Sequence, residues 1–155
     1  MPTDRHNLPG YIRKAAGAWA VVSENKRSAS FRKPHGDEVF IVHVDGGLIT
    51  TGERADYIIA HAKIVDVIVE LKGSDTSKAI RQIRATRPVW MRDELAGEKL
   101  GALVVRGQGI HPKTAASVVR WQREFRKTFK MKLVMETHNR SYEFAEFLLP
   151  EESRA

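Results

Sequence analysis

The 155-residue chain carries 26 Lys and Arg against 19 Asp and Glu, which gives a formal net charge of +7 at pH 7, and it contains no cysteine. The lack of cysteine excludes disulfide bonds, thiolate zinc sites and cysteine nucleophiles, and no apolar stretch approaches the roughly 20 residues of a membrane-spanning helix. The excess of positive charge favours a polyanionic partner, with nucleic acid ahead of a membrane surface.

The length favours one domain over residues 1–155 with a single core. Within this domain we expect a flexible N-terminus at 1–8, a basic loop at 25–38 and a C-terminal tail at 150–155. The N-terminal residues lack the charged-then-apolar order of a secretory signal, so we expect a cytoplasmic protein without membrane attachment.

The first half of the chain predicts one helix followed by strands. Apolar residues at helical spacing predict an amphipathic helix over 9–24. The polar stretch 25–38, interrupted by Pro34 and Gly36, predicts an exposed loop. Four apolar stretches, 39–44, 48–50, 55–60 and 63–72, then predict an antiparallel meander with a tight turn at 45–47.

The second half alternates helices and strands. We expect a helix over 74–86, capped by Ser74 or Asp75 and ended by Pro88, then a buried strand over 100–107. A long helix over 113–130 and a last strand over 131–138 follow, and the acidic segment 143–155 is a short helix or a frayed end. This order predicts an α/β fold, bordering on α+β, with a mixed sheet flanked by helices.

The predicted strand 63–72 has an apolar face, formed by its odd-numbered residues, and a face that carries Asp66, Glu70 and Lys72. If the preceding turn centres on Ala62, Asp56 lies diagonal to Glu70 on that charged face, at a Cα separation of roughly 7–8 Å. A register shifted by two residues keeps both carboxylates on one face, whereas a shift of one separates them.

Two carboxylates at this separation can bind one hard cation. Mg²⁺ takes one or two protein carboxylates beside water and phosphate oxygens, which fits Asp56, Glu70 and the backbone carbonyl of Leu71. Lys72 can position a nucleophile or neutralise developing negative charge. The alternative is a solvated strand face with an ordinary cross-strand ion pair.

Asp56, the apolar run into Glu70-Leu71-Lys72 and the following helix with Gln82 resemble the PD-(D/E)XK nuclease superfamily. This superfamily includes restriction enzymes and archaeal-type Holliday-junction resolvases. The resemblance covers residues 56–84 and implies a restriction-endonuclease-like mixed sheet flanked by helices.

The resemblance also implies an activity, a Mg²⁺-dependent endonuclease in which Mn²⁺ can substitute. Asp56 and Glu70 would be catalytic metal ligands, Lys72 the catalytic lysine and Gln82 a further catalytic residue beside the site. The helix before the sheet would supply another acidic ligand, for which Glu24 is the candidate. Ala55 stands where the superfamily usually has proline.

Basic residues are predicted to contact nucleic acid, DNA ahead of RNA, through its phosphates. They are Lys26, Arg27, Arg32 and Lys33 in the loop, and Lys78, Arg81 and Arg84 on the helix after Lys72. A merely solvated face is the alternative for both groups.

Two other classes of function stay open. A non-catalytic module that binds nucleic acid or a protein partner would keep the nuclease fold without turnover, and an inhibitor or immunity-type protein would use its charged surface to bind another protein. Small nuclease domains of this kind often pair to meet both strands, so a homodimer is a further expectation.

Overall fold

A computed structural model describes residues 8–73, 75–106 and 112–152. The strands are β1 (Ile12–Lys14), β2 (Trp19–Glu24), β3 (Arg27–Arg32), β4 (Phe40–His43), β5 (Tyr57–Ala60), β6 (Asp66–Gly73), β7 (Leu100–Arg106), β8 (Lys132–Glu136) and β9 (Arg140–Tyr142). The helices are α1 (Thr76–Met91) and α2 (Pro112–Glu124), with a π-helical turn at Phe125–Phe129 and a 3₁₀ turn at Phe144–Phe147.

The strands form a large sheet of six strands, ordered β1-β4-β5-β6-β7-β8, and a small sheet of three, ordered β2-β3-β9. In the large sheet β1, β4, β5 and β6 pair antiparallel, whereas β6, β7 and β8 pair parallel. α1 makes the crossover from β6 to β7. The prediction of a mixed α/β fold is therefore confirmed.

The central strand β6 is buried on both faces. Its odd-numbered residues, among them Val67 and Val69, pack with Phe31 of the small sheet. Ile68 of the even-numbered face packs with Ile80 of α1. The small sheet and the helices thus cover opposite faces of the large sheet, and the buried carboxylates of Asp66 and Glu70 lie on the helix side.

The predicted helix over 9–24 is wrong, because β1 and β2 occupy that stretch. Ala20 and Val22 of β2 are buried while Trp19 and Val21 are exposed, which is the two-residue period of a strand. Gly17, at a φ of 76°, provides the change of direction between β1 and β2.

The predicted loop over 25–38 is wrong as well, because it contains β3. Asn25 and Lys26 have φ values of 45° and 66°, and they connect Glu24 to its partner Arg27 in a two-residue hairpin. Positive φ at both central residues is the conformation that matches the twist of a hairpin.

The remaining differences concern where elements begin and end. Residues 48–50 form part of a turn, and β1 supplies the fourth antiparallel strand of the meander. α1 continues through Pro88, where we expected it to end, and it carries Trp90 into the core. The segment between β8 and residue 150 contains β9, which the sequence did not predict, and a 3₁₀ turn that buries Phe144 and Phe147.

Candidate functional site

Asp56 and Glu70 lie side by side near the carboxyl-terminal end of β6. The register that pairs Tyr57 with Val69 sets Asp56 opposite Glu70 when it is continued by one residue. Oδ2 of Asp56 accepts a hydrogen bond from the backbone N–H of Leu71 at 2.9 Å. This register differs by two residues from the predicted one, so both carboxylates are on one face and closer than the expected diagonal.

Both carboxyl groups are buried, Asp56 with 5% and Glu70 with 0% of their surface exposed. Burial of an ionised carboxylate is costly, and two close together repel one another. A bound divalent cation relieves both costs. The residue types fit Mg²⁺, which prefers hard oxygen ligands and needs one or two carboxylates from the protein.

A β-bulge interrupts β6 directly after Glu70. Glu70 and Gly73, three residues apart, pair with residues of β7 that are only two apart. The bulged segment contains Leu71, whose carbonyl is the third predicted ligand, and Lys72, whose side chain lies outside the described residues. Bulges bend a strand and re-aim side chains, and they occur often beside active sites.

Thr86 ties α1 to the residue that precedes Asp56. Its Oγ1 accepts a hydrogen bond from the backbone N–H of Ala55 at 2.8 Å and donates one to the carbonyl of Gln82, also at 2.8 Å. Thr86 and Ala55 are fully buried. Sequence reasoning missed this positioning residue, and its only signal was a threonine on the apolar face of a predicted helix.

The two lesser candidates have different surroundings. Gln82 is half-buried on α1, the helix that covers the Asp56 side of the sheet. Glu24 ends β2 in the small sheet. Burial raises the pKa of Tyr57, and the negative charges of Glu24 and Asp56 raise it further. Glu24 is thus near this end of β5, but the described residues contain no group of three carboxylate or histidine side chains able to hold a metal ion.

The residues predicted to bind nucleic acid divide between two faces. Arg27 and Arg32 lie on β3, with Lys26 and Lys33 beside it, whereas Lys78, Arg81 and Arg84 lie on α1. Arg81 contacts Glu53 at 3.3 Å, and Arg84 forms an ion pair with Glu124 while its guanidinium lies 5.9 Å from the centre of the Phe125 ring. Only the α1 group lies on the same side of the large sheet as Asp56 and Glu70.

Arg106, at the end of β7, is a second residue that sequence reasoning missed. It pairs with Gly73 beside the bulge, and it is buried. An arginine that ends an apolar run was its signal in the sequence, because such a strand delivers the side chain to an edge of the core.

A second polar cluster lies at the other end of β6. The buried carboxylate of Asp66 accepts hydrogen bonds from the backbone N–H of His61 at 2.8 Å, Trp90 Nε1 at 3.0 Å and the backbone N–H of Gly97 at 2.7 Å. Burial raises the pKa of Asp66. The ring of His61 is within 2.8 Å of Asp37, and this hydrogen bond lowers the pKa of Asp37. These contacts hold the turn between β5 and β6 in place.

Asp56, Glu70, the bulge and Arg106 therefore form the candidate site, with Thr86 and Gln82 behind it on α1. Within the described ranges no helix is long and apolar enough to cross a membrane. Comparison with known proteins finds no protein-family model, no curated protein and no solved structure that matches this chain.

Proposed function

We propose that this protein is a Mg²⁺-dependent nuclease that hydrolyses phosphodiester bonds, in DNA ahead of RNA. The observation that carries the proposal is the hydrogen bond from the N–H of Leu71 to Asp56, which holds one buried carboxylate beside the segment that carries the other. Two carboxylates buried opposite each other repel, which disfavours this pair in a strand pairing of purely structural role.

The order of elements supports a restriction-endonuclease-like core. β4, β5 and β6 form an antiparallel meander, α1 crosses over, and β7 returns parallel to β6. Asp56 directly precedes β5 and Glu70 lies on β6, just before the bulge. The proposal therefore includes a restriction-endonuclease-like fold, in line with the resemblance of residues 56–84 to the superfamily.

Asp56, Glu70 and the carbonyl of Leu71 would hold the metal ion. Bound Mg²⁺ would lower the pKa of a water molecule and stabilise negative charge on a phosphodiester. The chain itself supplies the geometry. Asp56 is fixed by Leu71 and, through the preceding residue, by Thr86. Lys72 is assigned its role from the sequence: it would neutralise the charge that develops on the phosphate.

The test is cleavage of labelled linear, branched and single-stranded DNA and of RNA, with Mg²⁺, Mn²⁺ or chelator. Glu70→Gln and Lys72→Met are the test variants, and Glu98→Gln, which changes an exposed carboxylate, is the matched control. We expect metal-dependent cleavage by wild type and control, and a loss of at least about a hundredfold in both test variants because groups that act in the transition state are removed.

A second measurement separates metal binding from turnover. Mg²⁺ that binds only the folded state should raise the midpoint of thermal unfolding of the wild type, and the rise should be absent in Glu70→Gln. Binding of nucleic acid that persists in chelator, with no cleavage and no effect of Mg²⁺ on stability, would instead support the non-catalytic binding module.

A further inference from the structure

Arg106 is a buried cation with unused hydrogen-bonding capacity. Only 8% of its surface is exposed. Its Nε and Nη1 atoms are buried and have no hydrogen-bond partner within the part of the chain that the structure describes. Arginine is rarely buried unless it is paired, because removing its charge from water is costly. A ligand that supplies acceptors is therefore the expected complement of this side chain.

The register places Arg106 at the candidate site. Glu70 pairs with Val104, two residues before Arg106 on the same strand. Val104 packs into the helix-side core together with Ile68, whereas Val105 packs on the other side. Because side chains alternate along a strand, Arg106 is on the face of the large sheet that carries Glu70.

We propose that Arg106 binds a phosphate group of the substrate. A guanidinium presents N–H donors in a planar fork that matches two phosphate oxygens, and its charge cannot be lost by deprotonation. The neighbouring carboxylates would repel an anion on their own, and Arg106 offsets this repulsion at the place where a phosphodiester has to approach them. The identification of the phosphate as part of a nucleic acid rests on the proposed nuclease function.

The experiment measures phosphate binding in chelator, so that neither Mg²⁺ nor cleavage is involved. The probes are inorganic phosphate and a short labelled deoxyoligonucleotide, measured by calorimetry and fluorescence anisotropy. The variants are Arg106→Met, Arg106→Lys and, as a matched control, Arg13→Met, which removes an exposed arginine from β1 of the same sheet.

We expect Arg106→Met to weaken binding of both probes by about tenfold to a hundredfold, as for loss of hydrogen bonds to a charged group. Arg106→Lys should retain part of the affinity, and the control should bind as the wild type does. Arg106→Met should also unfold at the same temperature as the wild type or higher, because a buried charge with two unpaired N–H groups has been removed.

Three results would overturn the inference: unchanged phosphate binding by Arg106→Met, a thermal midpoint of this variant several degrees below that of the wild type, or failure of the variant to fold. The last two would make Arg106 a structural residue. The two proposals are separable. If Arg106→Met cleaved nucleic acid with Mg²⁺ as well as the wild type and bound phosphate equally well, the nuclease proposal would stand and the role of Arg106 would be rejected. If phosphate binding depended on Arg106 but no substrate were cleaved, the role of Arg106 would stand and the nuclease proposal would be rejected.

Discussion

Replacing Thr86 with valine tests whether the hydrogen bond from Ala55 to Thr86 stabilises the segment that carries Asp56. Valine has nearly the same shape but lacks Oγ1, so the backbone N–H of Ala55, 2.8 Å from that oxygen, loses its acceptor. Both residues are fully buried, which leaves no room for water to replace the hydroxyl. A buried donor left without a partner costs about 1–3 kcal/mol. The carbonyl of Gln82 keeps its helical hydrogen bond, so Ala55 should account for most of the loss, about 2 kcal/mol.

The assay is urea unfolding, in chelator and again in Mg²⁺, with Thr86→Ser as the matched variant. Serine keeps the hydroxyl and loses one buried methyl group, at a cost of about 1 kcal/mol. Thr86→Val should therefore be less stable than Thr86→Ser, and Mg²⁺ should stabilise it less, because Ala55 directly precedes Asp56. If Thr86→Val were as stable as Thr86→Ser, the hydrogen bond to Ala55 would not carry the energy assigned to it.

Two further predictions concern buried polar groups outside the site. Asp66→Asn should lower the free energy of unfolding by about 1–3 kcal/mol. An amide has one acceptor oxygen, so it cannot accept the hydrogen bonds of His61, Trp90 and Gly97 together. Equal urea-unfolding midpoints for variant and wild type would contradict this prediction. Burial raises the pKa of Tyr142 from 10.0 to about 12, so its contribution to stability is full below pH 10.0 and is lost as the pH rises through about 12. In urea unfolding between these two pH values, the stability of the wild type should fall more steeply with pH than that of Tyr142→Phe. Equal pH dependence of the two free energies of unfolding would refute the raised pKa of Tyr142.

The hairpin of β5 and β6 was predictable because two apolar stretches follow each other across a short turn, and the odd-numbered residues of the second form an apolar face. The register was not, since it depends on the turn. The carboxylate of Asp66 accepts one hydrogen bond from the backbone N–H of His61 and another from the indole N–H of Trp90, a residue of α1. A tertiary contact thus sets the turn, and the sequence presents Asp66 only as another charged residue on one face of the strand.

The N-terminal strands escaped prediction for a related reason. Alanines at helical spacing favour a helix locally, but β1 pairs with β4, and β3 pairs with β9. Partners so distant in the chain leave no local pattern, and the pairing overrides the propensity. Arg106 is a similar case, because only the register shows that its strand ends beside Gly73.

The pairing of β3 with β9 has a consequence for how the protein is made. The backbone N–H of Ser28 donates a hydrogen bond to Oδ1 of Asn139, which lies 111 residues further along the chain. During synthesis the hairpin of β2 and β3 leaves the ribosome long before β9, and the edge of β3 stays open until β9 follows. An open strand edge invites pairing with other chains, and contacts across long loops form slowly. The nascent chain is therefore exposed to aggregation through most of its synthesis, until β9 pairs with the open edge of β3.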